Sequence, residues 1–421
     1  METLPLTLCK RTSVLDGIVL LEVVPIERIK ALLKSDLLLM AWDWDNYENE
    51  KHQINAYLKL YNKALGGIMV KYGKPKHKWG RSFPYKSLGL STIRRECRNA
   101  LINNLYYDCD IKNAQPEIIK NLCESNNIPC PFIKRYCNER DTILKLVQDA
   151  YDVDRNKAKE LFIRMCFFGT FQGWCNENKI SGKPELEFIT CFQRELNDIA
   201  DRAKKVNPSL YETARKKKED NGENKENRIL GSFFGLYNQE YESRIVEAVL
   251  CYLINQTDLM KYNNTSTPVG TYEYDGIKLW KENVDNYEGG LDGVLNLLNE
   301  KTYELTGFKL EWTAKSLEDG YNLDEWIDLV AEDETPIQEL FESCEKITTT
   351  INNSDCGIIE AIMQLKPNHF IYSVDKTDGS KGEWYGWNGN RWEKSDAPLR
   401  KAILYDIENY WNSLMKKWDE I

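Results

Sequence analysis

Histidine is nearly absent: His52, His77 and His369 are the only three in 421 residues. A Ser-His-Asp hydrolase or a histidine-built metal centre therefore has little material to work with. Cysteine occurs twelve times, but no pair is spaced C-x-x-C, and six residues separate Cys123 from Cys130 and Cys130 from Cys137. Zinc modules need closer pairs, so these thiols read as reduced, mostly buried small hydrophobes of an intracellular protein. No apolar run reaches the ~18 residues that a membrane span needs, and the amino terminus has no basic stretch leading into an apolar one. Neither a membrane anchor nor a secretory signal is expected. The phosphate-binding pattern G-x-x-x-x-G-K-[ST] is missing as well, and no internal repeat is visible. What is present, 42% hydrophobic and 11% aromatic residues, is the composition of a folded chain, long enough for about two to three domains.

The net charge of -10 argues against a uniformly basic nucleic-acid binder, yet charge is unevenly spread. Between Lys71 and Arg98 nine basic residues face the single acid Glu96, whereas Glu318 to Glu342 holds ten acids and no Lys or Arg. The first stretch can follow a phosphate backbone; the second reads as a boundary.

Apolar spacing at Ile54, Tyr57, Leu58 and Tyr61 predicts a helix across 46–67, and residues 1–79 read as a helical amino-terminal subdomain. Ser91 is a plausible cap for a helix that places Arg94 and Arg98 on one face. Tyr106 to Lys112 reads as a strand giving way to a helix near Pro116, followed by helices through 130–180 and 185–202. Arg215 to Arg228, with no apolar residue, reads as a solvated loop. A helix over 238–256 then precedes a hairpin over 271–280 turning at Asp275-Gly276, a helix over 290–306 and a strand over 308–312. Two further turn signals, Asp378-Gly379 and Asn388-Gly389, predict a small β-meander over 369–394, closed by a helix over 398–417. The expected fold class is α+β: a mostly helical protein around a small antiparallel sheet, with 80–317 as the main domain and 318–421 as an acidic linker plus a small α+β domain.

On a strand, Asp108 and Asp110 share one face, and like charges at that spacing call for protonation, solvent or a cation such as Mg²⁺. Asp275 lies at a hairpin tip. Arg155 and Lys159 stand one helical turn apart, with Phe167 and Phe168 before Gly169. In this order the elements resemble the palm and fingers of family A DNA polymerases and single-subunit RNA polymerases. More closely, GRSFPYKSLGLSTIRRECRNAL with YDCDIKNAQPEI is similar to the polymerase-like region of primase-helicase proteins from large DNA viruses and mobile elements. GEWYGWNGNRWEKSDAPLRKAI resembles the small domain that precedes the motor of superfamily three helicases, whose motor motif is not in these residues.

The resemblance implies a nucleotidyltransferase, a DNA polymerase or primase-polymerase that joins nucleotides to a 3′ end by two-metal phosphoryl transfer. It implies Mg²⁺ or Mn²⁺ on Asp110 and Asp275, with Asp108 in reserve. Arg155 and Lys159 would grip the triphosphate. The aromatic-glycine pair falls one residue later than in the family, which brings in Arg164 as well. Gln115 stands where family A DNA polymerases carry a glutamate beside the sugar 2′ position. Lys76, Lys78, Arg81, Arg94, Arg95 and Arg98 would contact DNA template or primer, with Trp79, Phe83 and Tyr85 available for stacking. A replicative helicase is an implied partner. The alternatives are a catalytically inactive single-stranded nucleic-acid-binding or helicase-loading protein, and a nuclease.

Overall fold

The computed structural model describes residues 4–11, 13–38, 44–223, 225–263 and 265–330, together with three strands nearer the carboxyl end. Residues 1–328 form one compact unit and 329–421 a second. The fold class is α+β and mostly helical, with small antiparallel sheets.

The first sheet is built from β1 (Val19–Val23), β2 (Tyr61–Asn62), β3 (Gly67–Gly73) and β4 (Phe83–Pro84), with β3 pairing all three others. Helices α1 (Ile26–Lys34) and α2 (Trp44–Lys59) connect β1 to β2. The amino-terminal part is therefore not the helical subdomain that its periodicity suggests. VLLEV and GIMVKYG are short apolar runs, which periodicity alone cannot divide between buried strand and helix; here they pair from Val19↔Lys71 to Val23↔Gly67.

Glu22 on β1 is fully buried and accepts hydrogen bonds at Oε2 from the Tyr57 hydroxyl (2.9 Å) and the Leu90 N–H (2.8 Å). At Oε1 it faces the hydroxyls of Tyr72 (3.4 Å) and Thr271 (3.3 Å). Burial pushes its pKa up to about 7, against the opposing effect of these donors. The folded state thus holds a proton that the unfolded chain has released, so this group's contribution to stability falls as pH rises from about 4.5 to 7. Glu22→Gln mimics the protonated form, since the two hydroxyls at Oε1 can accept from an amide. We expect the variant to match the native chain near pH 4.5 and to exceed it by roughly 1–3 kcal/mol at pH 8. Denaturant melts at the two pH values measure this, and equal stability at pH 8 would contradict it.

The second sheet has the order β6-β7-β5-β8, all antiparallel: β5 (Tyr106–Ile111), β6 (Thr271–Glu273), β7 (Gly276–Trp280) and β8 (Trp312–Lys315). A single tight turn at Leu90–Thr92 comes before helix α3 (Arg95–Ile102), which leads into β5, so Arg94 rather than Ser91 precedes the helix. Between β5 and β6 lie α4 (Ala114–Ser125), α5 (Pro131–Asn138), α6 (Arg140–Tyr151), α7 (Arg155–Cys166), α8 (Phe171–Glu177), α9 (Glu187–Val206), α10 (Pro208–Glu219) and α11 (Glu226–Gln256). Asn113, in the left-handed region that Asn tolerates, turns the chain from β5 into α4, whose first turn takes Pro116. Asp154 caps α7 by accepting from the Lys157 N–H at 2.9 Å. Tyr136, Phe162, Phe188 and Phe192 form an aromatic core among α5, α7 and α9. The charged run 215–228 is not simply a loop: α10 continues to Glu219 because Arg215 pairs with Glu212 and Glu219 along one face.

Helix α11 is buried on nearly all sides and carries the buried acids Glu240, Glu242 and Glu247. Glu240 meets Lys74 (3.0 Å) and Arg244 (2.9 Å), while Glu247 meets Arg11 (2.9 Å) and the hydroxyls of Ser82 and Ser243. Charges this deep persist only when paired. Helices α12 (Lys281–Asp285) and α13 (Gly290–Thr306) fill the step from β7 to β8. In the second unit, β9 (Phe370–Ser373), β10 (Glu383–Trp387) and β11 (Trp392–Lys394) form an antiparallel meander in sequence order. The expected closing helix over 398–417 lies outside the described residues. Among the described residues no helix is long and apolar enough to cross a membrane.

Candidate active site

The β6–β7 hairpin turns through Tyr274 and Asp275, with Glu273 paired to Gly276, so the glycine opens β7 instead of occupying the turn. Tyr274 has φ 53°, a left-handed conformation that a bulky residue adopts only under constraint from its surroundings. Gly276 lies directly across from Asp110 on β5, and the Ile111 N–H donates to the Asp275 carbonyl at 3.0 Å. A Cβ on Gly276 would fall 2.1 Å from Asp110 Oδ1 and 2.8 Å from the Cys109 carbonyl oxygen. The missing side chain is what lets the Asp110 carboxylate lie across the hairpin beside Asp275.

Asp110 is buried, and its pKa is pushed up to about 7 by that burial and by the charges of Asp108 and Asp275, with Lys315 opposing. Burial also raises Asp275, helped by Glu242 and opposed by Lys315 and Arg81. The Lys315 ammonium pairs with Asp110 from β8, and the lysine side chain is half exposed. Asp108 differs: it meets the fully buried Lys278 at 2.7 Å, and Lys278 also holds Glu273 at 2.9 Å. Of the two β5 aspartates, Asp110 is thus the one beside the tip of the hairpin, and Asp108 is committed to a buried ion pair farther along β7. Among the described residues no group of three or more His, Cys, Asp or Glu forms a ready-made metal cage. Two crowded carboxylates whose ionised forms gain from a cation are nonetheless the hard-oxygen donors that suit Mg²⁺ or Mn²⁺ when substrate phosphates supply further ligands.

Lys159, on α7, lies within electrostatic reach of Asp275. Burial, then the charges of Arg140, Lys315 and Arg155, lower its pKa, while Asp275 opposes the shift. Cations repelling one another beside two carboxylates favour an anion between them. Arg155 is more exposed and pairs with Asp141 at 2.6 Å. With Arg140, Lys112 and Asn113 it borders a cavity of about 680 Å³ at the end of β5. Arg164, in the last turn of α7, is engaged instead at the α7–α8 connection, where it pairs with Glu177 and packs over Gly169, whose Cβ would meet Arg164 Cγ at 2.1 Å.

Gln115 donates its amide to Glu242, which also takes the Arg81 guanidinium, Nη2 to Oε2 at 3.0 Å. Arg81 lies 4.6 Å over the Tyr274 ring. The expected sugar-side residue and one expected nucleic-acid contact therefore form a clamp behind the hairpin. Arg94 pairs with Glu50 (2.7 Å) and Glu96 (3.1 Å) and donates to the Tyr321 hydroxyl (2.8 Å). Arg95 meets Asp319 at 2.7 Å and Arg98 meets Glu273 at 2.9 Å. Lys76 and Lys78 stay exposed, whereas Trp79 is buried and offers no stacking surface. A local charge count could not show this, because most of the neutralising acids arrive from distant segments.

Glu242, Glu273, Lys278 and Lys315 were not singled out from the sequence. A lysine two residues after Gly276, inside an otherwise apolar strand, was the available signal for Lys278; the acids of the long apolar α11 were the signal for Glu242.

No protein-family model matches the chain. The chain is similar to a protein of the Sputnik virophage named "Putative helicase V13", with 26% identity over 376 residues. The match takes in 83% of this chain and 44% of that protein, so the chain spans less than half the length of this relative.

Proposed function

We propose that this chain is a metal-dependent nucleotidyltransferase, a polymerase or primase-polymerase of viral or mobile-element replication. The observation that supports it most is the meeting of Asp110 and Asp275 at a hairpin crossing, with Lys159 and Arg140 on the side where a triphosphate would lie. Similarity to a virophage protein named as a helicase fits a replication role, because priming and unwinding work on the same strands. Divalent ions, when bound, would lower the pKa of an attacking 3′-hydroxyl and offset charge at the α-phosphate. Asp110 and Asp275 would hold them. Lys159 would neutralise the triphosphate and the departing pyrophosphate, and its lowered pKa suits it to give up a proton there. Lys315 would swing away from Asp110, which its half-exposed side chain permits.

Primer-extension and de novo synthesis assays with each nucleotide type and Mg²⁺ or Mn²⁺ test the reading; no incorporation under any of these conditions would favour the inactive nucleic-acid-binding alternative. Within an active protein, we expect Lys159→Ala to raise the nucleotide KM roughly tenfold or more with little change in DNA affinity. Arg155→Ala should do less, because Asp141 already offsets its charge. The reverse ranking would place the triphosphate at the mouth of the 680 Å³ cavity and not beside Lys159.

A further inference from the structure

Strand β3 turns Met69 and Lys71 outward on one face, with Gly73 in line. Strand β4 lies alongside, so Phe83 stands opposite Gly73, and the Tyr85 N–H joins the Lys71 carbonyl at 2.7 Å. Cross-strand neighbours share a face, which gathers Met69, Lys71, Phe83 and Tyr85 on one surface. The three large apolar groups are 47%, 41% and 49% exposed for Met69, Phe83 and Tyr85, too much for a core. Gly73 makes room for the Tyr85 ring, whose atoms would lie 3.2 Å from a Cβ there, and Lys86 sits 5.4 Å over that ring. At its other end the surface reaches the active site: the Phe83 and Tyr274 rings meet edge to face at 5.8 Å, and Tyr274 immediately precedes Asp275. No acidic residue occurs from Met69 to Arg95.

We propose that this face is a stacking platform for single-stranded nucleic acid, which it leads toward Asp275. Exposed rings between lysines match unpaired bases on a polyanionic backbone, whereas a duplex keeps its base faces hidden. The contacts come from Phe83, Tyr85, Lys71 and Lys86, and not from Arg94, Arg95 and Arg98, which are held by Glu50, Asp319 and Glu273. Only the direction of the strand rests on the proposed function; binding itself does not.

The test is fluorescence anisotropy with a labelled oligothymidine and a duplex of equal length, across a salt series, using the full chain. We expect the single strand to bind more tightly than the duplex. Phe83→Ala and Tyr85→Ala should each weaken it roughly five- to hundredfold with an unchanged salt slope. Lys71→Ser with Lys86→Ser should flatten the slope by about one to two units. Arg95→Ser, on the exposed side of α3, should leave affinity unchanged. Native affinity in a Phe83→Ala/Tyr85→Ala protein with unaltered melting, or a preference for duplex, would overturn the proposal. Asp110→Asn separates the two readings: if it binds the oligonucleotide normally and only incorporation is lost, both stand. Normal incorporation by Asp110→Asn, with binding still dependent on Phe83 and Tyr85, removes the catalytic reading and leaves the platform.

Discussion

Asp110→Asn and Asp275→Asn are each expected to lower nucleotide incorporation by roughly a thousandfold or more, because each removes an anionic oxygen donor whose effect on the barrier is several kcal/mol. The fold should survive. In the metal-free protein Asp110→Asn should even be the more stable chain above neutral pH, because ionised Asp110 is opposed by burial and by Asp108 and Asp275. Its folded pKa, raised from 3.8 to about 7, means that the native chain loses stability as pH rises through that interval. The variant lacks this loss, so the difference should be absent near pH 4 and reach roughly 1–3 kcal/mol at pH 8, reduced by the lost Lys315 pair. Single-turnover incorporation with Mn²⁺ and urea melts at the two pH values measure both effects. Unimpaired incorporation by either variant would sink the assignment of these two carboxylates.

Gly276→Ala should be almost as damaging to activity although it removes no functional group. Its Cβ would stand where Asp110 Oδ1 now lies, forcing the carboxylate off the hairpin or the two strands apart. We expect a loss of roughly 1–3 kcal/mol in stability together with a fall in incorporation approaching that of Asp110→Asn. A double-mutant cycle identifies the cause: in an Asp110→Ala background the stability cost of Gly276→Ala should shrink, leaving the contact with the Cys109 carbonyl oxygen. An undiminished cost would show that the backbone contact, and not the carboxylate, requires glycine at this position.

The strand of Asp108 and Asp110, the hairpin of Asp275 and the helix over 290–306 were legible because each carries a strong local signal: alternation, an Asp-Gly turn, an uninterrupted helical period. Asp-Gly marked the hairpin but not its turn residues, since the glycine was required by a neighbouring strand rather than by the bend. The first sheet was missed because its strands are short and apolar, and because β1 and β3 pair across an intervening helical segment that invites one helical reading of the whole. Pairings such as Arg98 with Glu273 or Gln115 with Glu242 join residues far apart in sequence, and no local pattern encodes them. The roles of Arg94, Arg95 and Arg98 looked different in the sequence for that reason.

The order of the strands also bears on how the chain is made. Strand β5 is synthesised long before either of its neighbours, β7 and β8, and eight helices come between it and the hairpin. Until residues 276–280 and 312–315 have left the ribosome, both edges of β5 are open, and such an edge readily pairs with the wrong strand. Asp108 and Asp110 stand in the middle of it, and unpaired carboxylates are poor material for an intermolecular ladder. Asp110, proposed to hold a metal ion in the finished protein, and Asp108, which ends in a buried ion pair, therefore also keep the central strand solitary while the rest of the sheet is still being translated, so Asp110→Asn should lower the soluble yield even though the folded variant is the more stable one above neutral pH.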